Sequence, residues 1–349
     1  MTDGEWPLRR LLSEVVGSGP RSAEDMGRGQ AREAMDRILD GDPRPTTLGA
    51  FWLANRWKTN TPTELAAFLD VVTERSVRRV EPSADPLDCG ANYDGKHTTA
   101  LLGVAAGVTA AAAGTPVAVH SGDRVPTGSD PAYRHVLDEL GVRTALDPAE
   151  SADAVDEVGF GFYHQPRFNP GIHGLLARRD EMGVRTFLNT VETLVNPAGA
   201  SAHLGSFYHL SFAKRVIDTL EASETAPAER VVMVQGLEGY DDVRPGETVV
   251  AEHDAGGFDD FEIVTADYGL DVEREALAVD DVAADSASIT EAVLAGERTD
   301  HFRDAVALNA ALRIYARGDA QSIRDGLDAA TAAIEDGSAH AVLDDLQAF

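Results

Sequence analysis

Hydrophobic and polar positions follow two different patterns along this chain, and the change comes near residue 80. In the first part, apolar residues recur every three or four positions, which is the period of an amphipathic helix. The spacing predicts helices over Ser22–Leu39 and Thr46–Asn55 and a third that begins at the capping sequence Thr61–Glu64. Since no strand pattern appears in this part, we predict a helical domain over residues 1–80.

Beyond residue 84, short apolar runs alternate with helical patterns, which favours an α/β fold with a mainly parallel sheet covered by helices. We predict that this larger domain spans residues 81–349. The predicted strands are Val117–His120, Val158–Tyr163, Arg185–Asn189, Val231–Val234, Thr248–Ala251 and Phe261–Val264. The predicted helices are Asp130–Leu140, Ile172–Met182, Leu210–Leu220, Asp300–Ala316 and Ala320–Glu335, and the acidic run 279–285 is predicted to be a solvated loop.

One long apolar stretch, Ala100–Val119, has the length of a membrane span but not its character. Its residues are mostly small, and Gly114–Pro116 interrupts it, so it indicates a buried helix, a turn and a buried strand. The N-terminus Met1–Glu5 is acidic and lacks the basic start and apolar run of a signal peptide. We therefore expect a soluble cytoplasmic protein without membrane contact.

The charge of the 349-residue chain is strongly negative. It has 59 Asp and Glu against 30 Lys and Arg, a net charge of −29, and only three of the basic residues are lysine. A dense carboxylate surface suits a halophile's cytoplasm, where salt screens self-repulsion, although an ordinary acidic protein is the alternative. The balance argues against wholesale binding of nucleic acid or anionic membrane, because phosphate neutralisation needs a basic face. A single cysteine, Cys89, excludes a disulfide framework and a multi-cysteine zinc site.

The first candidate site is the loop Cys89–Thr99, which contains glycine, one lysine and two threonines. It leads into a predicted helix, and the free N–H groups of a helix N-terminus attract phosphate, to which a lysine adds positive charge. The loop lacks the Gly-Lys-Ser/Thr ending of a P-loop, so a capped turn is the alternative to a phosphate site. The candidate residues are Asn92, Tyr93, Asp94, Gly95, Lys96, Thr98 and Thr99.

A second loop, 121–129, follows the predicted strand Val117–His120, where ligand loops lie at the carboxyl edge of a parallel sheet. Its hydroxyl and backbone groups could donate hydrogen bonds to phosphate. The histidine at the strand end could orient a substrate, or it could be a hydrogen-bonded structural residue. The candidate residues are His120, Arg124, Thr127 and Gly128.

Two further candidates carry charge. Arg179 lies near the end of the predicted helix Ile172–Met182, where an arginine either complements the helix dipole or binds a carboxylate bidentately. Asp241 and Asp242 follow the predicted strand Val231–Val234, and adjacent carboxylates at a strand end are typical of Mg²⁺ sites. In a chain with 59 acidic residues, adjacent acids also occur by chance.

Four segments between about residue 30 and residue 245 together resemble the anthranilate phosphoribosyltransferases, and more broadly family 3 of the glycosyltransferases. Gly49–Thr59 is similar to the family's helical-domain segment, and 110–124 to its small-residue helix, strand and histidine turn. The segment 179–198 looks like the one with the family's substrate-binding arginine and Asn-Pro, and Glu238–Asp242 like its Asp-Gly-x-Asp-Glu metal loop.

The resemblance implies a two-domain enzyme, usually a homodimer, with the dimer interface and the acceptor side on the helical domain. It implies transfer of the 5-phosphoribosyl group of phosphoribosyl pyrophosphate to a small aromatic or other amine with Mg²⁺, as in tryptophan biosynthesis. By matching position, Arg179 would hold an aromatic carboxylate, His120 would line the acceptor site, and Asp241 and Asp242 would bind the metal. No general base is expected, because an arylamine is already a neutral nucleophile and positioning dominates.

The chain departs from the family pattern at several positions. Residues 91–95 stand in place of the family's Gly-Thr-Gly-Gly-Asp loop, and Glu192-Thr193 in place of the Gly-Pro before Leu-x-Asn-Pro. The altered loop resembles a divergent paralogue group whose bacterial member is described as nucleic-acid binding. The alternative hypothesis is therefore a paralogue that binds nucleic acid or nucleotides without the transferase activity. A relative of the pyrimidine nucleoside phosphorylases, which use phosphate, is a third hypothesis.

Overall fold

The computed structural model describes residues 6–17, 19, 21–90, 95–126, 128–226 and 228–349. The α-helices are α1 (Leu8–Val16), α2 (Arg28–Leu39), α3 (Pro45–Lys58), α4 (Pro62–Arg75), α5 (Gly103–Ala112), α6 (Tyr133–Glu139), α7 (Pro148–Val158), α8 (Gln165–Phe168), α9 (Pro170–His173), α10 (Leu176–Met182), α11 (Leu188–Val191), α12 (Leu210–Ala222), α13 (Val282–Leu294), α14 (His301–Arg317), α15 (Ile323–Glu335) and α16 (Ser338–Ala348). The strands are β1 (Leu87–Cys89), β2 (Val117–Ser121), β3 (Phe160–His164), β4 (Ala202–Ser206), β5 (Arg230–Val234), β6 (Glu247–Asp254) and β7 (Gly257–Val264).

The seven strands form one sheet in the order β3-β2-β1-β4-β5-β6-β7. The first five strands pair in parallel, and β6 and β7 add an antiparallel hairpin at one edge. The parallel strands read as continuous apolar runs because helices cover both faces of the sheet. The predicted fold class, a helical N-terminal part followed by a larger α/β part with a mostly parallel sheet, is confirmed.

The sheet separates two hydrophobic cores, since successive side chains of a strand point to opposite faces. Val232 and Val234 pack into the core beneath α5, α13, α14, α15 and α16. Val231 and Met233 of the same strand pack into the other core, which contains apolar residues of α1 to α4. The N-terminal helices therefore form a layer on one face of the sheet, near the ends of its central strands.

The start of α4 has the structure that its sequence predicts. Thr61 Oγ1 accepts a hydrogen bond from the Glu64 backbone N–H, and the Glu64 carboxylate accepts one from the Thr61 N–H at 2.9 Å. The buried Glu64 also accepts from Lys58 Nζ at 2.6 Å and from the Met26 N–H at 2.8 Å, which ties the ends of three helices together. The predicted domain boundary at residue 80 falls between the end of α4 at Arg75 and the start of β1 at Leu87.

Four local predictions differ from the structure. The predicted helix Ile172–Met182 is interrupted, because α9 ends at His173 and α10 begins at Leu176. The segment 185–189, predicted as a strand, turns into α11, because Asn189 Oδ1 accepts from the Thr186 N–H at 3.0 Å and closes a turn. The acidic run predicted as a loop contains the first turn of α13, for which Asp281 is the N-cap. Strands β1 and β4 were not expected, since one has three residues and the other contains His203 and Gly205, too little apolar pattern for a strand signal.

Within the ranges that the structure describes, no helix is both long enough and apolar enough to cross a membrane.

Candidate active site

A cleft lies at the carboxyl ends of the central strands β1, β4 and β5. It consists of two adjoining cavities of about 350 and 490 Å³, which share Arg185 and Tyr208 as lining residues. The first cavity lies between the helical layer and the sheet and reaches Arg56 of α3, and the second lies over the loop that follows β5. Ligand sites of open parallel sheets occur at this edge, so the cleft is the candidate active site.

The cleft is rich in arginine although the whole chain is acidic. Its lining includes Arg56, Arg185, Arg244 and Arg274. Among the described residues around the first cavity none is Asp or Glu, while the second cavity contains Asp130 and Glu238. In a chain of net charge −29, this concentration of guanidinium groups in a concave site selects for an anionic ligand.

Backbone contacts position these arginines, and two glycines make the cleft possible. Arg56 Nη1 donates to the Arg185 carbonyl at 2.9 Å, and Arg244 Nε donates to the Glu247 carbonyl at 2.7 Å. A Cβ on Gly90, directly after β1, would lie 2.0 Å from the Thr193 carbonyl oxygen. A Cβ on Gly236, after β5, would lie 1.4 Å from the Tyr240 carbonyl oxygen. Only glycine therefore fits at these two strand ends.

Glu238 fixes the loop after β5 against the residues that precede α5. Its carboxylate accepts hydrogen bonds from the backbone N–H groups of His97, Thr98 and Thr99 and from both threonine hydroxyls, at 2.7 to 3.2 Å. Burial alone would raise the pKa of Glu238, but these donors outweigh it and lower the pKa to about 2. Thr98 and Thr99, predicted to bind substrate, thus hold a carboxylate of the chain, and Gly95 lines the second cavity beside them.

Lys96, Asp241 and Asp242 meet in a buried ion network. Lys96 Nζ lies 2.5 Å from Asp242 Oδ2, and Arg313 Nη2 lies 3.3 Å from Asp241 Oδ2. Asp241 also accepts a hydrogen bond from the hydroxyl of Tyr133. The side chains of both ion pairs are at most 1% exposed. The turn with Lys96 and the loop with the two aspartates, which the sequence offers as separate candidate sites, therefore lie together in the fold.

This network does not fit a hydrated Mg²⁺ ion. Mg²⁺ keeps several water ligands and needs octahedral space, whereas each aspartate here is buried against an internal cation. Asp241 Oδ2 and Asp242 Oδ1 both lack a hydrogen-bond partner, but Asp241 Oδ2 lies beside the Arg313 guanidinium. Only Asp242 Oδ1 is therefore open, and one open oxygen does not make a site. In the part of the chain that the structure describes, no group of three or more His, Cys, Asp or Glu could hold a metal ion. In this arrangement Lys96 and Arg313 supply the positive charge beside the two carboxylates.

His120, predicted to line the acceptor site, lies beneath the cleft. It is fully buried, with Nε2 3.4 Å from Asp88 Oδ1, and its ring packs edge-on against Phe168. The other oxygen of Asp88 lies 2.7 Å from Nδ1 of His203, which does line the first cavity. The carboxylate therefore links the predicted histidine to a second one that sequence reasoning did not find.

The two predicted arginines of this region are also paired within the chain. Arg124 donates to Asp180 through both terminal nitrogens, one of them at 2.9 Å. Arg179 is buried and donates to Glu192 through Nη1 at 2.9 Å and Nη2 at 2.7 Å. Neither arginine lines the cleft. A carboxylate from outside would have to displace Glu192 to reach Arg179.

The remaining predicted residues are only partly described. Gly128 closes a turn by donating its N–H to the Val125 carbonyl at 3.2 Å, outside the cleft lining. The predictions on Asn92, Tyr93, Asp94 and Thr127 lie outside the described residues.

The cleft also contains residues that the sequence did not single out. Arg185 lies in a segment predicted as a strand, Arg244 follows the predicted metal loop by two residues, and Arg274 lies beyond β7 in a stretch without a recognisable motif. The arginines could have been found from their positions after strands or turns in a chain with few basic residues. The cleft residues that the sequence did not single out are Arg56, Arg185, His203, Tyr208, Arg244 and Arg274.

Comparisons with known proteins agree over nearly the whole chain. A model described as "Glycosyl transferase family, a/b domain" matches residues 88–340, and one described as "Glycosyl transferase family, helical bundle domain" matches residues 14–76. The chain is 31% identical to the anthranilate phosphoribosyltransferase of Natronomonas pharaonis, over 93% of this chain and 96% of that protein. It is 36% identical to that of Anaeromyxobacter sp. (strain K), over 98% of both chains.

Solved structures are similar over the same extent. The anthranilate phosphoribosyltransferase of Thermus thermophilus superimposes with a TM-score of 0.82 at 27% identity, covering 97% of this chain and 98% of that one. The Saccharomyces cerevisiae enzyme in complex with phosphoribosyl pyrophosphate and Mg superimposes with a TM-score of 0.81, covering 98% of both chains. At 19% identity the latter similarity shows the fold alone.

Proposed function

Since this chain belongs to the glycosyl transferase family whose members include the anthranilate phosphoribosyltransferases, we propose that it is a phosphoribosyltransferase. It transfers the 5-phosphoribosyl group of phosphoribosyl pyrophosphate to the nitrogen of an amine acceptor. The observation that carries this proposal is the arginine-lined cleft at the carboxyl ends of β1, β4 and β5 in a chain of net charge −29. Its relatives named as anthranilate phosphoribosyltransferases match it over nearly their full length.

The arginines suit the charge that develops in this reaction. When the bond between the ribose carbon and the diphosphate breaks, negative charge grows on the leaving group, and fixed guanidinium donors stabilise it. Arg185, Arg244 and Arg274 lie around the cavity that we assign to the diphosphate. The adjoining cavity, lined by Tyr208, Phe212 and His203, is assigned to the acceptor. An uncharged amine needs only to be held in line with the ribose carbon.

The surroundings of Asp241 and Asp242 bear on how the protein would use magnesium. We propose that Mg²⁺ is bound with the diphosphate itself and would neutralise part of its charge, as substrate phosphates commonly supply ligands to this ion. The buried pairs Lys96–Asp242 and Arg313–Asp241 keep the two aspartates out of this role in the arrangement described.

The cleft does not favour the nucleic-acid alternative. Its arginines line two cavities of about 350 and 490 Å³, a size that suits a small anion. A groove for a single strand would need a basic track with successive stacking surfaces along it.

Calorimetric titration with phosphoribosyl pyrophosphate and Mg²⁺ in molar KCl tests the proposal. We expect binding by the native protein and a loss of roughly tenfold to hundredfold in affinity for Arg185→Met, because a charge-assisted hydrogen bond to phosphate is removed. Arg143→Met is the matched control, since Arg143 is 58% exposed and pairs with Glu150 instead of lining the cleft. Absence of binding by the native protein, or equal losses in both variants, would reject the proposal.

We also propose that the protein is a homodimer that associates through the helical layer. An apolar cavity of about 700 Å³ lies between α1 and α3, bordered by Val16, Leu53 and Trp57, which are 44%, 39% and 76% exposed. Such a patch is typical of an interaction surface. Sedimentation of the native protein should give twice the chain mass of 37.1 kDa, whereas Trp57→Glu should sediment with the mass of one chain. Phe258→Glu is the matched control, since Phe258 is an exposed aromatic residue on β7, and this variant should remain a dimer. A native monomer would contradict the proposal.

A further inference from the structure

The guanidinium group of Arg179 is paired with a carboxylate of the chain itself. The two terminal nitrogens of Arg179 donate to the two oxygens of Glu192, at 2.9 and 2.7 Å, in the fork arrangement that a bound carboxylate would adopt. Gln165 Nε2 donates a third hydrogen bond to the same carboxylate, at 2.9 Å. Both charged side chains are only 2% exposed.

Four segments of the fold enclose this pair. Arg179 comes from α10, Glu192 follows the last residue of α11, and Gln165 begins α8 directly after β3. Gly122, which follows β2, is packed so closely that a Cβ there would lie 3.0 Å from Gln165 Oε1. Thr190 and Thr193, on either side of Glu192, line the acceptor cavity, so Glu192 lies just behind its wall.

The sequence explains why the pair exists here. In the resemblance described above, Glu192-Thr193 stands in place of the family's Gly-Pro. A glycine has no side chain, so an arginine facing it would be open to a carboxylate from a ligand. Here the glutamate pairs with both terminal nitrogens of the arginine and leaves its Nε without a hydrogen-bond partner. Displacing the glutamate would leave a buried, unpaired carboxylate, which is strongly unfavourable.

We propose that Glu192 determines the acceptor class by taking the place of an acceptor carboxylate. The acceptor is then an amine that places no carboxylate on Arg179. It is either an uncharged amine or one that other groups of the cleft bind. This inference rests on the proposed function, since it specifies the acceptor of the same transfer. It makes Glu192 a specificity-determining residue that does not touch the reacting atoms.

The test uses sodium benzoate and the fluorescent 2-aminobenzoate as probes, without any turnover. We expect the native protein to show no thermal shift with benzoate and no titratable 2-aminobenzoate fluorescence change. Glu192→Gly should lose thermal stability, regain part of it with benzoate, and bind 2-aminobenzoate at least tenfold more tightly than the native protein does. Glu192→Gln, which fills the same space, should not respond.

Two results would overturn the proposal. The first is that the native protein binds 2-aminobenzoate and that the double variant Arg179→Met/Glu192→Leu, which removes both charges at once, does not bind it. The other is a folded Glu192→Gly that binds no more tightly than the native protein. If Glu192→Gly does not fold, comparing 2-aminobenzoate binding by the native protein and by the double variant tests the proposal. Calorimetry with phosphoribosyl pyrophosphate, run in parallel, shows separately whether the proposed function fails.

Discussion

Replacing Lys96 with methionine should lower the free energy of unfolding by about 3–5 kcal/mol. The substitution leaves the carboxylate of Asp242 buried without its ammonium partner, which lies 2.5 Å away in the native protein. Lys96 Nζ also donates to the Ala100 carbonyl at 2.9 Å, so a backbone acceptor loses its donor as well. Urea unfolding at neutral pH, followed by circular dichroism, measures the difference.

Lys214→Met is the matched control for this prediction. Lys214 is 59% exposed and lies 3.4 Å from Asp218 one helical turn away, an arrangement whose loss typically changes stability by less than about 1 kcal/mol. The double variant Lys96→Met/Asp242→Asn removes both charges and should recover part of the loss. If the free energy of unfolding of Lys96→Met lies within about 1 kcal/mol of the native value, the ion pair does not stabilise the contact between the loop with Lys96 and the loop with Asp242.

Replacing Asp88 with asparagine should lower the free energy of unfolding by about 2 kcal/mol at neutral pH and remove part of its acid dependence. Burial alone would raise the pKa of Asp88, but the charges and hydrogen bonds of His120 and His203 outweigh it and lower the pKa to about 2. Because the folded-state pKa lies below the ordinary value of 3.8, the stabilisation is present above that value and is lost as the pH falls towards 2.

Urea unfolding at several pH values between 7 and 2 measures this effect. The difference between the native protein and Asp88→Asn should shrink steadily below pH 4 and nearly vanish near pH 2. Asp218→Asn, an exposed aspartate in a pair with Lys214, serves as control and should change little at any pH. A difference that stays constant down to pH 2 would mean that Asp88 stabilises through packing and not through its charge.

Local sequence signals were sufficient wherever neighbouring residues decide the structure. The capping residues Thr61 and Glu64 make the predicted hydrogen bonds, because both partners lie in one helical turn. The apolar run at Val231–Val234 forms β5, since a strand covered on both faces needs only apolar residues. By contrast, the run Arg185–Asn189 has strand-like composition, and a side-chain hydrogen bond to the backbone turned it into the start of a helix.

The sequence by itself determined the fold class, the family and the loops at the strand ends, because periodicity, turn residues and motifs are encoded within short segments. Only the tertiary structure decided which charged groups meet. Lys96 and Asp242 are 146 positions apart, and Arg179 lies in α10 whereas Glu192 follows the end of α11, so no local pattern pairs them. In a chain with 59 acids and 30 bases, most charges have several possible partners, and burial chooses among them by removing water from particular pairs.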